Sequence, residues 1–310
     1  MAGRNGKRMR ATFRDRPAIL ITSVGPEEPV HRWKDSVNSP AETEAWIVNG
    51  AMHGMLPWFT KFNGVVPDVR WIEPVADGFK LHEKIEGTLA ETTPATEIAV
   101  LDAATTLRHW DSSTRREAEA DELGFYHALV EAGLPFEFVS DQAMSPEMLD
   151  RFRLLILPNA VCLTDAQCRM IEDWVARGGS ILAAGATSTE DGDANPRAEL
   201  GLAGALGVRM TGRPRGPLKN TYVALNGSHP IAAGFDGAER IIGGTQLMAV
   251  EPVAGAEQPF LYVPDFPDLP MEEVYPREAP TGAALRGEAG ALAGLELIEV
   301  YLRIIADRGE

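Results

Sequence analysis

The sequence predicts an α/β protein built on parallel sheets, because short apolar runs alternate with helix-patterned segments along most of the chain. The clearest run, residues 154–157, is apolar at every position, which is typical of a parallel strand buried on both faces. Thr164 and Gln167 then stand at the spacing of a helix capping box. A short polar stretch, residues 91–96, is typical of a linker. The pattern therefore predicts two α/β segments joined there.

The first segment, residues 16–90, is predicted to hold two strand–helix units. Ser39 suits a helix N-cap, Pro40 suits the first helical position, and Glu42 can complete a capping box. The predicted elements are a strand at 18–22, a helix after Ser39, a strand at 56–62 and a helix at 75–86. Residues 1–15 show no apolar periodicity and are predicted to form a disordered leader.

The second segment, residues 91–277, is predicted to be a doubly wound sheet with an antiparallel extension. Its predicted parallel strands are 97–101, 136–139, 154–157 and 180–184, with helices at 117–132, after Ser145 and after Thr164. The extension is predicted as a helix at 200–206 and strands at 221–225, 240–242, 247–250 and 260–263. Residues 278–310 form an atypical tail that is rich in Ala and Gly and ends in an apolar run.

The composition narrows the class of protein. Lys and Arg number 29 against 45 Asp and Glu, giving a net charge of −16, and such a surface repels the phosphates of nucleic acids. There is no apolar run of bilayer-spanning length, so we expect no membrane partner. Two cysteines do not make a disulfide framework and predict a reduced, cytoplasmic protein. No glycine-rich phosphate loop or metal-ligand spacing is present, so we expect no cofactor and no metal.

The residues with the most chemical potential follow the first predicted strand. Glu27 and Glu28 are adjacent carboxylates in a polar loop, and five charged or aromatic residues come soon after: His31, Arg32, Trp33, Lys34 and Asp35. Carboxyl ends of parallel strands are where α/β proteins place their sites, so this loop is a candidate catalytic and substrate-binding loop. The alternative is a solvated loop in which the carboxylates pair with Arg32 or Lys34.

The end of the second predicted strand carries three more candidates for substrate binding. Trp58 can stack on the apolar face of a sugar ring, while Lys61 and Asn63 can hydrogen-bond to sugar hydroxyls. The alternative for both Trp58 and Trp33 is a structural role in the core or in an interface, because Trp side chains are highly buried on average.

These motifs resemble a family. The chain carries VGPEEPVHRWKDSVNSPAE, HGMLPWFTKFNG, GFYHALVEAGLPFEFVSD, DRFRLLILPNAVCLTDAQ and FPDLPMEEVYP, which are similar to segments of beta-galactosidase-type glycoside hydrolases. In that family a TIM barrel precedes a beta-galactosidase trimerisation domain. The resemblance implies that 16–90 is the end of an incomplete barrel and 91–277 the trimerisation domain. It also implies a carbohydrate partner of β-galactoside type and a homo-oligomer, such as a trimer.

The resemblance assigns roles to the loop. If residues 18–22 are the seventh barrel strand, Glu27 or Glu28 lies near the nucleophile, and the acid/base after the fourth strand is not among these residues. A retaining glycosidase needs both carboxyls. We therefore expect a carboxyl-terminal part of a glycosidase that is not catalytically complete alone. The alternative is a non-catalytic oligomerisation or carbohydrate-binding module.

The second segment also resembles the flavodoxin-like fold of class I glutamine amidotransferases. Those enzymes place a nucleophilic Cys on a tight strand-to-helix turn. The equivalent turn here, residues 183–187, has no Cys. A third hypothesis, a hydrolase that uses Cys162 with His229 as base, rests on residue types alone. His53 and His82 have no second metal ligand at a suitable spacing and are predicted to be structural.

Overall fold

The computed structural model describes residues 2–13, 16–25, 37–61, 68–109, 112–218, 221–225, 229–235, 237–244, 246–263 and 284–286. The chain divides into two compact units. Unit 1 is Met1–Ala95 and unit 2 is Thr96–Glu310.

Unit 1 is built around a two-stranded parallel sheet. Its elements are helix α1 (Ala2–Phe13), strand β1 (Ala18–Ser23), helix α2 (Pro40–Met52), strand β2 (Met55–Thr60) and helix α3 (Ile72–Ala90). The backbone N–H of Glu42 donates to Oγ of Ser39 over 3.2 Å, so α2 begins at the cap that the sequence predicts. β1 and β2 pair in parallel with Ala18 opposite Met55. The crossover between them is the predicted β–α–β unit.

Helix α1 occupies residues for which the sequence predicts a disordered leader. Its buried face is made of small residues, among them Ala2, Gly3 and Gly6. A Cβ at Gly6 would lie 2.7 Å from Cβ of His53, so the helix backbone itself contacts the end of α2. Small residues give no apolar periodicity, and for that reason the pattern did not predict a packed helix.

Unit 2 contains the predicted doubly wound parallel sheet. Its strands are β3 (Ile98–Asp102), β4 (Glu137–Ser140), β5 (Leu154–Pro158) and β6 (Ser180–Ala184), in the order β4-β3-β5-β6. The connecting helices are α4 (Ala104–His109), α5 (Ser112–Glu131), α6 (Pro146–Leu149) and α7 (Asp165–Ala176). All three strand pairings are parallel, which confirms the α/β class with a flavodoxin-like sheet.

The core of unit 2 lies around the two central strands. Every residue of β3 and β5 is buried, and for β5 the uninterrupted apolar run at 154–157 predicts this. Leu155 and Leu157 pack in one cluster with Ile171 and Trp174 of α7. The capping box of α7 is complete, with Thr164 and Gln167 each accepting a backbone hydrogen bond from the other.

The rest of unit 2 is largely antiparallel. Its elements are helix α8 (Ala203–Leu206), strands β7 (Val208–Met210), β8 (Tyr222–Leu225), β9 (Arg240–Ile242), β10 (Gln246–Met248), β11 (Val250–Pro252), β12 (Phe260–Val263) and β13 (Ala284–Arg286), and a 3₁₀ helix, Pro230–Phe235. β12, β8 and β9 form one antiparallel sheet, while β7 pairs with β11 and β10 with β13.

The helix predicted at 200–206 is shorter in the structure. The N–H groups of Gly201 and Leu202 donate to the carbonyl and Oγ of Ser188, so they lie outside the helix, which starts at Ala203. Apart from β13, the predicted tail at 278–310 lies outside the described residues. Within the described part of the chain, no helix has the length and apolar character needed to cross a bilayer.

Candidate functional site

The candidate loop after β1 lies largely outside the described residues. This applies to Glu27, Glu28, His31, Arg32, Trp33, Lys34 and Asp35, and also to Asn63. The two ends of the loop are described, and they meet. The N–H of Asn38 donates to the carbonyl of Val24 over 2.8 Å, directly beyond the carboxyl end of β1. Both ends of the loop therefore start from the end of the sheet where sites in α/β proteins lie.

Two predicted sugar-binding residues are described. Trp58 lies on β2, opposite Ile21 in the parallel register, and is 52% exposed. Lys61 directly follows β2 and is exposed. A half-exposed indole can offer one ring face to a ligand, and an exposed ammonium can donate to hydroxyls. The neighbouring Phe59 instead stacks on Trp71, with ring centroids 5.5 Å apart.

Trp58 belongs to a continuous apolar surface, which we call the open face. It is the side of the β1–β2 sheet opposite the buried Ala18, Leu20 and Met55. Its members are Ile19, Ile21, Leu56 and Trp58, which are 44% to 57% exposed. In the parallel register Ile19 lies opposite Leu56, and Ile21 lies opposite Trp58.

In unit 2 the crevice between the carboxyl ends of β3 and β5 is the topological switch point, where doubly wound sheets bind ligands. Here the segments that follow β3 and β5 are hydrogen-bonded to each other. The N–H of Cys162 donates to Oγ1 of Thr106 over 3.0 Å, and both residues are fully buried. The N–H of Ala186 donates to Oδ1 of Asn159 over 3.0 Å. The first bond joins the segments that follow β3 and β5, and the second joins those that follow β5 and β6.

The turn at the end of β6, residues 183–187, is part of the same network. Thr187 donates its hydroxyl to the carbonyl of Ala184 over 2.7 Å and accepts from the N–H of Ala160 over 3.1 Å. The next residue, Ser188, is fully buried and has a φ of 61°, so the turn is tight although it carries no nucleophile. Its role in this chain is to hold the ends of β5 and β6 together.

Cys162 lacks the surroundings of a nucleophile. Its Sγ lies 3.5 Å from Oε2 of Glu190. Burial, followed by the charge of Glu190, raises the pKa of Cys162 to about 12. His229, the base of the third hypothesis, instead lies with Nε2 3.3 Å from Oε2 of Glu257. A nucleophilic thiol needs a lowered pKa and a neighbouring base, so this environment argues against Cys162 chemistry.

His53 and His82 each contact a residue of their own helix. Nδ1 of His53 lies 2.7 Å from the carbonyl of Asn49, and burial lowers the pKa of His53. Nδ1 of His82 lies 3.8 Å from Oε2 of Glu86 on the same helix. Across the described ranges, no group of three His, Cys, Asp or Glu side chains is arranged to hold a metal ion.

Asp141 is a buried polar residue that the sequence did not single out. Its Oδ2 accepts from the N–H of Thr105 over 2.8 Å, while Oδ1 has no hydrogen-bond partner among the described residues. Burial, with a smaller contribution from the charge of Asp102, raises the pKa of Asp141. Asp102 is the last residue of β3, and Asp141 directly follows β4. Their position at the carboxyl ends of parallel strands is the sequence signal that could have identified them.

No family model matches the sequence, and neither does any curated protein. Solved structures do match. The beta-galactosidase from Bacillus circulans sp. alkalophilus covers 96% of this chain with a TM-score of 0.73 and 13% identity, over 47% of its own length. The beta-galactosidase from Rahnella sp. R3 covers 98% with a TM-score of 0.71 and 13% identity, over 47% of its length.

A third matching structure is named for a different enzymatic activity. Alpha-L-fucosidase isoenzyme 2 from Paenibacillus thiaminolyticus covers 94% of this chain with a TM-score of 0.65 and 15% identity, over 45% of its length. At these identities the similarity establishes the fold. The chain thus has the fold of about half of a beta-galactosidase, and it spans about half the length of each of these three structures.

Proposed function

We propose that this chain is part of a glycoside hydrolase of beta-galactosidase type. The observation that carries the proposal is the match of 96% of the chain to a beta-galactosidase at a TM-score of 0.73. Both units therefore follow the backbone of one kind of glycosidase. The fucosidase match shows that this fold alone does not select the sugar. The motif resemblance is what favours a β-galactoside-like substrate.

The proposed sugar site lies at the carboxyl end of the β1–β2 sheet. Trp58 supplies a stacking surface and Lys61 a hydrogen-bond donor, both exposed at or near that end. In this proposal the candidate loop after β1 contributes Glu27 or Glu28 near the nucleophile position. Further sugar contacts come from the same loop and from the segment after β2: His31, Arg32, Trp33, Lys34, Asp35 and Asn63. In this proposal Trp58 orients the ring, while a loop carboxylate acts on the anomeric carbon.

The described part of the chain does not make a complete barrel site. A (β/α)₈ barrel needs eight parallel strands, whereas the parallel sheet described in unit 1 has two. Retaining hydrolysis needs two carboxyls about 5–5.5 Å apart on separate strands. Adjacent Glu27 and Glu28 do not supply that pair, because neighbouring side chains usually point in different directions. We expect the isolated chain to bind sugar without hydrolysing it.

The test combines binding and turnover. The purified chain is titrated with galactose and with an alpha-L-fucose control, following tryptophan fluorescence, and is assayed on aryl glycosides that include a β-galactoside. We expect galactose to change the fluorescence of the natural chain but not of Trp58→Ala. Trp174→Phe, a change at a buried Trp of α7, is the matched control and should respond as the natural chain does. A folded chain that binds neither sugar would contradict the proposal.

A second candidate function is a non-catalytic oligomerisation module. The specific observation that favours it is the hydrogen bond between Thr106 and Cys162 across the switch point of unit 2. Loops that bond to each other at the switch point are better suited to packing than to binding a ligand there. Analytical ultracentrifugation should then give a homo-oligomer, for which a trimer is the expectation from the resemblance. A monomeric mass at high concentration would exclude it.

A further inference from the structure

Helix α1 lies against the turn that joins α2 to β2. A Cβ at Gly6 would lie 2.7 Å from Cβ of His53 and 3.0 Å from Cε of Met55, so only a glycine fits at this point of α1. One turn earlier, Ala2 packs in the same buried cluster as Met55. Helix α1 is therefore a cover over His53 and over one side of the small apolar core of unit 1.

Two cations of α1 act on the same histidine. A Cβ at Gly54, the residue after His53, would lie 2.9 Å from Nη1 of Arg10. Lys7 precedes Arg10 by about one helical turn. Burial first, and then the charges of Lys7 and Arg10, lower the pKa of His53, although its contact with the carbonyl of Asn49 acts in the opposite direction. Among the described residues, these two cations are the charged side chains that shift the pKa of His53.

The docking of α1 depends on charge more than on apolar area. The buried face of α1 consists of Ala2, Gly3, Gly6 and Ala11, and such small side chains bury little apolar surface. His53 is the C-cap residue of α2, so Lys7 and Arg10 bring positive charge to the negative end of that helix dipole. A helix that is held in this way is sensitive to one more positive charge at the same place.

We propose that α1 is a proton-sensitive strap, which is docked while His53 is neutral and is released when His53 becomes charged. A proton on His53 adds a third positive charge beside Lys7 and Arg10 and places it under the cover of α1, away from water. Release of α1 returns the charged ring to water and takes the two cations away. It also uncovers Met55, so acid exposes part of the core of unit 1.

The sign follows from linkage between docking and protonation. Because docked α1 lowers the pKa of His53 below 6.5, the released state binds the proton more readily than the docked state. Docking is therefore fully favoured above pH 6.5 and weakens as the pH falls below this value. By reciprocity, a change that displaces α1 must raise the pKa of His53.

The first test measures hydrogen–deuterium exchange of the purified 310-residue chain at pH 7.5 and 5.5. Observed rates are divided by the intrinsic rates at each pH, so that protection factors alone are compared. We expect the protection factors of the α1 amides to fall at least about threefold at pH 5.5, while those of α2 and α7 stay constant. In His53→Gln, which takes up no proton, α1 should have the same protection at both pH values.

Three outcomes of this test would overturn the proposal. The first is an unchanged protection of α1 in the natural chain, and the second is an equal fall in His53→Gln. The third is a joint loss of protection from α1 and α2, which would mean that unit 1 unfolds as a whole.

The second test leaves His53 in place, so it does not depend on how well Gln replaces the ring. Gly6→Ala puts a methyl group where α1 and His53 touch. The matched control is Gly87→Ala in α3, where a Cβ meets nothing within 4 Å. NMR titration should show a raised pKa of His53 in Gly6→Ala, with α2 still protected, and the pKa of the natural chain in Gly87→Ala. If Gly6→Ala leaves the pKa of His53 unchanged, α1 does not control this histidine and the strap is refuted.

Discussion

Sγ of Cys162 lies 3.5 Å from Oε2 of Glu190, so the thiol at the end of the central parallel sheet faces a carboxylate. A carboxylate next to a thiol opposes formation of the thiolate, since two negative charges would then lie side by side. Cys162 is fully buried and belongs to the core of unit 2. Its contact with Glu190 joins the segment after β5 to the segment after β6.

Cys162 should be inert to thiol reagents in the folded protein. Its pKa of about 12 leaves almost no thiolate near neutral pH, and burial blocks access. Cys168 is also buried with a raised pKa, so Cys168→Ala isolates the Cys162 signal. We expect no reaction of this variant with Ellman's reagent at pH 7.5 and one thiol in guanidinium chloride. Rapid reaction of the native variant would reopen the Cys162 hydrolase hypothesis.

The stability of unit 1 should depend on His53 below neutral pH. Burial, then the positive charges of Lys7 and Arg10, lowers the pKa of His53 below 6.5 in the folded state. The unfolded chain therefore binds the proton more readily, and this contribution is present above pH 6.5 and is lost as the pH falls below it.

The measurement is the urea midpoint at pH 7.5 and 5.5. His53→Gln removes the titration, so the natural chain should lose more stability than the variant between these values. An equal loss of stability in the natural chain and in His53→Gln would show that other groups cause the pH dependence.

The capping box of α7 should contribute measurably to the stability of unit 2. Thr164 accepts from the N–H of Gln167 over 3.2 Å, and its own N–H donates to Oε1 of Gln167 over 2.8 Å. Thr164→Ala removes one side of this exchange and should cost about 1 kcal/mol of unfolding free energy. Thr164→Ser keeps the hydroxyl and should stay close to the natural chain in urea unfolding. An equal loss in both variants would assign the effect to the methyl group.

A side chain at Gly179 should destabilise unit 2, because Trp174 lies against this residue. A Cβ there would lie 2.4 Å from the indole ring, and Trp174 is buried in the core. Gly179→Ala should therefore cost about 1–3 kcal/mol through overpacking. The matched control is Gly124→Ala in α5, where a Cβ meets nothing within 4 Å. That change should raise stability by up to about 1 kcal/mol, since Ala favours a helix. A neutral Gly179→Ala would show that the ring moves aside.

The parts of the fold that the sequence predicted are those with a signal in neighbouring residues. The run at 154–157 predicted a doubly buried strand, and Thr164 with Gln167 predicted the start of α7. Both features depend on residues a few positions apart, so the sequence displays them directly. The candidate site could be predicted only as residue types near strand ends. Trp58 and Lys61 are described at such an end, whereas the roles given to Glu27 and Glu28 remain predictions.

The sequence by itself determined the alternation of strands and helices, the caps of α2 and α7, and the absence of a Cys at residues 183–187. Tertiary structure decided that α1 packs through glycine and alanine, that Thr106 hydrogen-bonds to Cys162 at the switch point, and that one face of the β1–β2 sheet stays half exposed. The physical reason is the distance along the chain over which each interaction acts. Periodicity and capping act within one or two turns, whereas contact between distant residues depends on how whole elements pack.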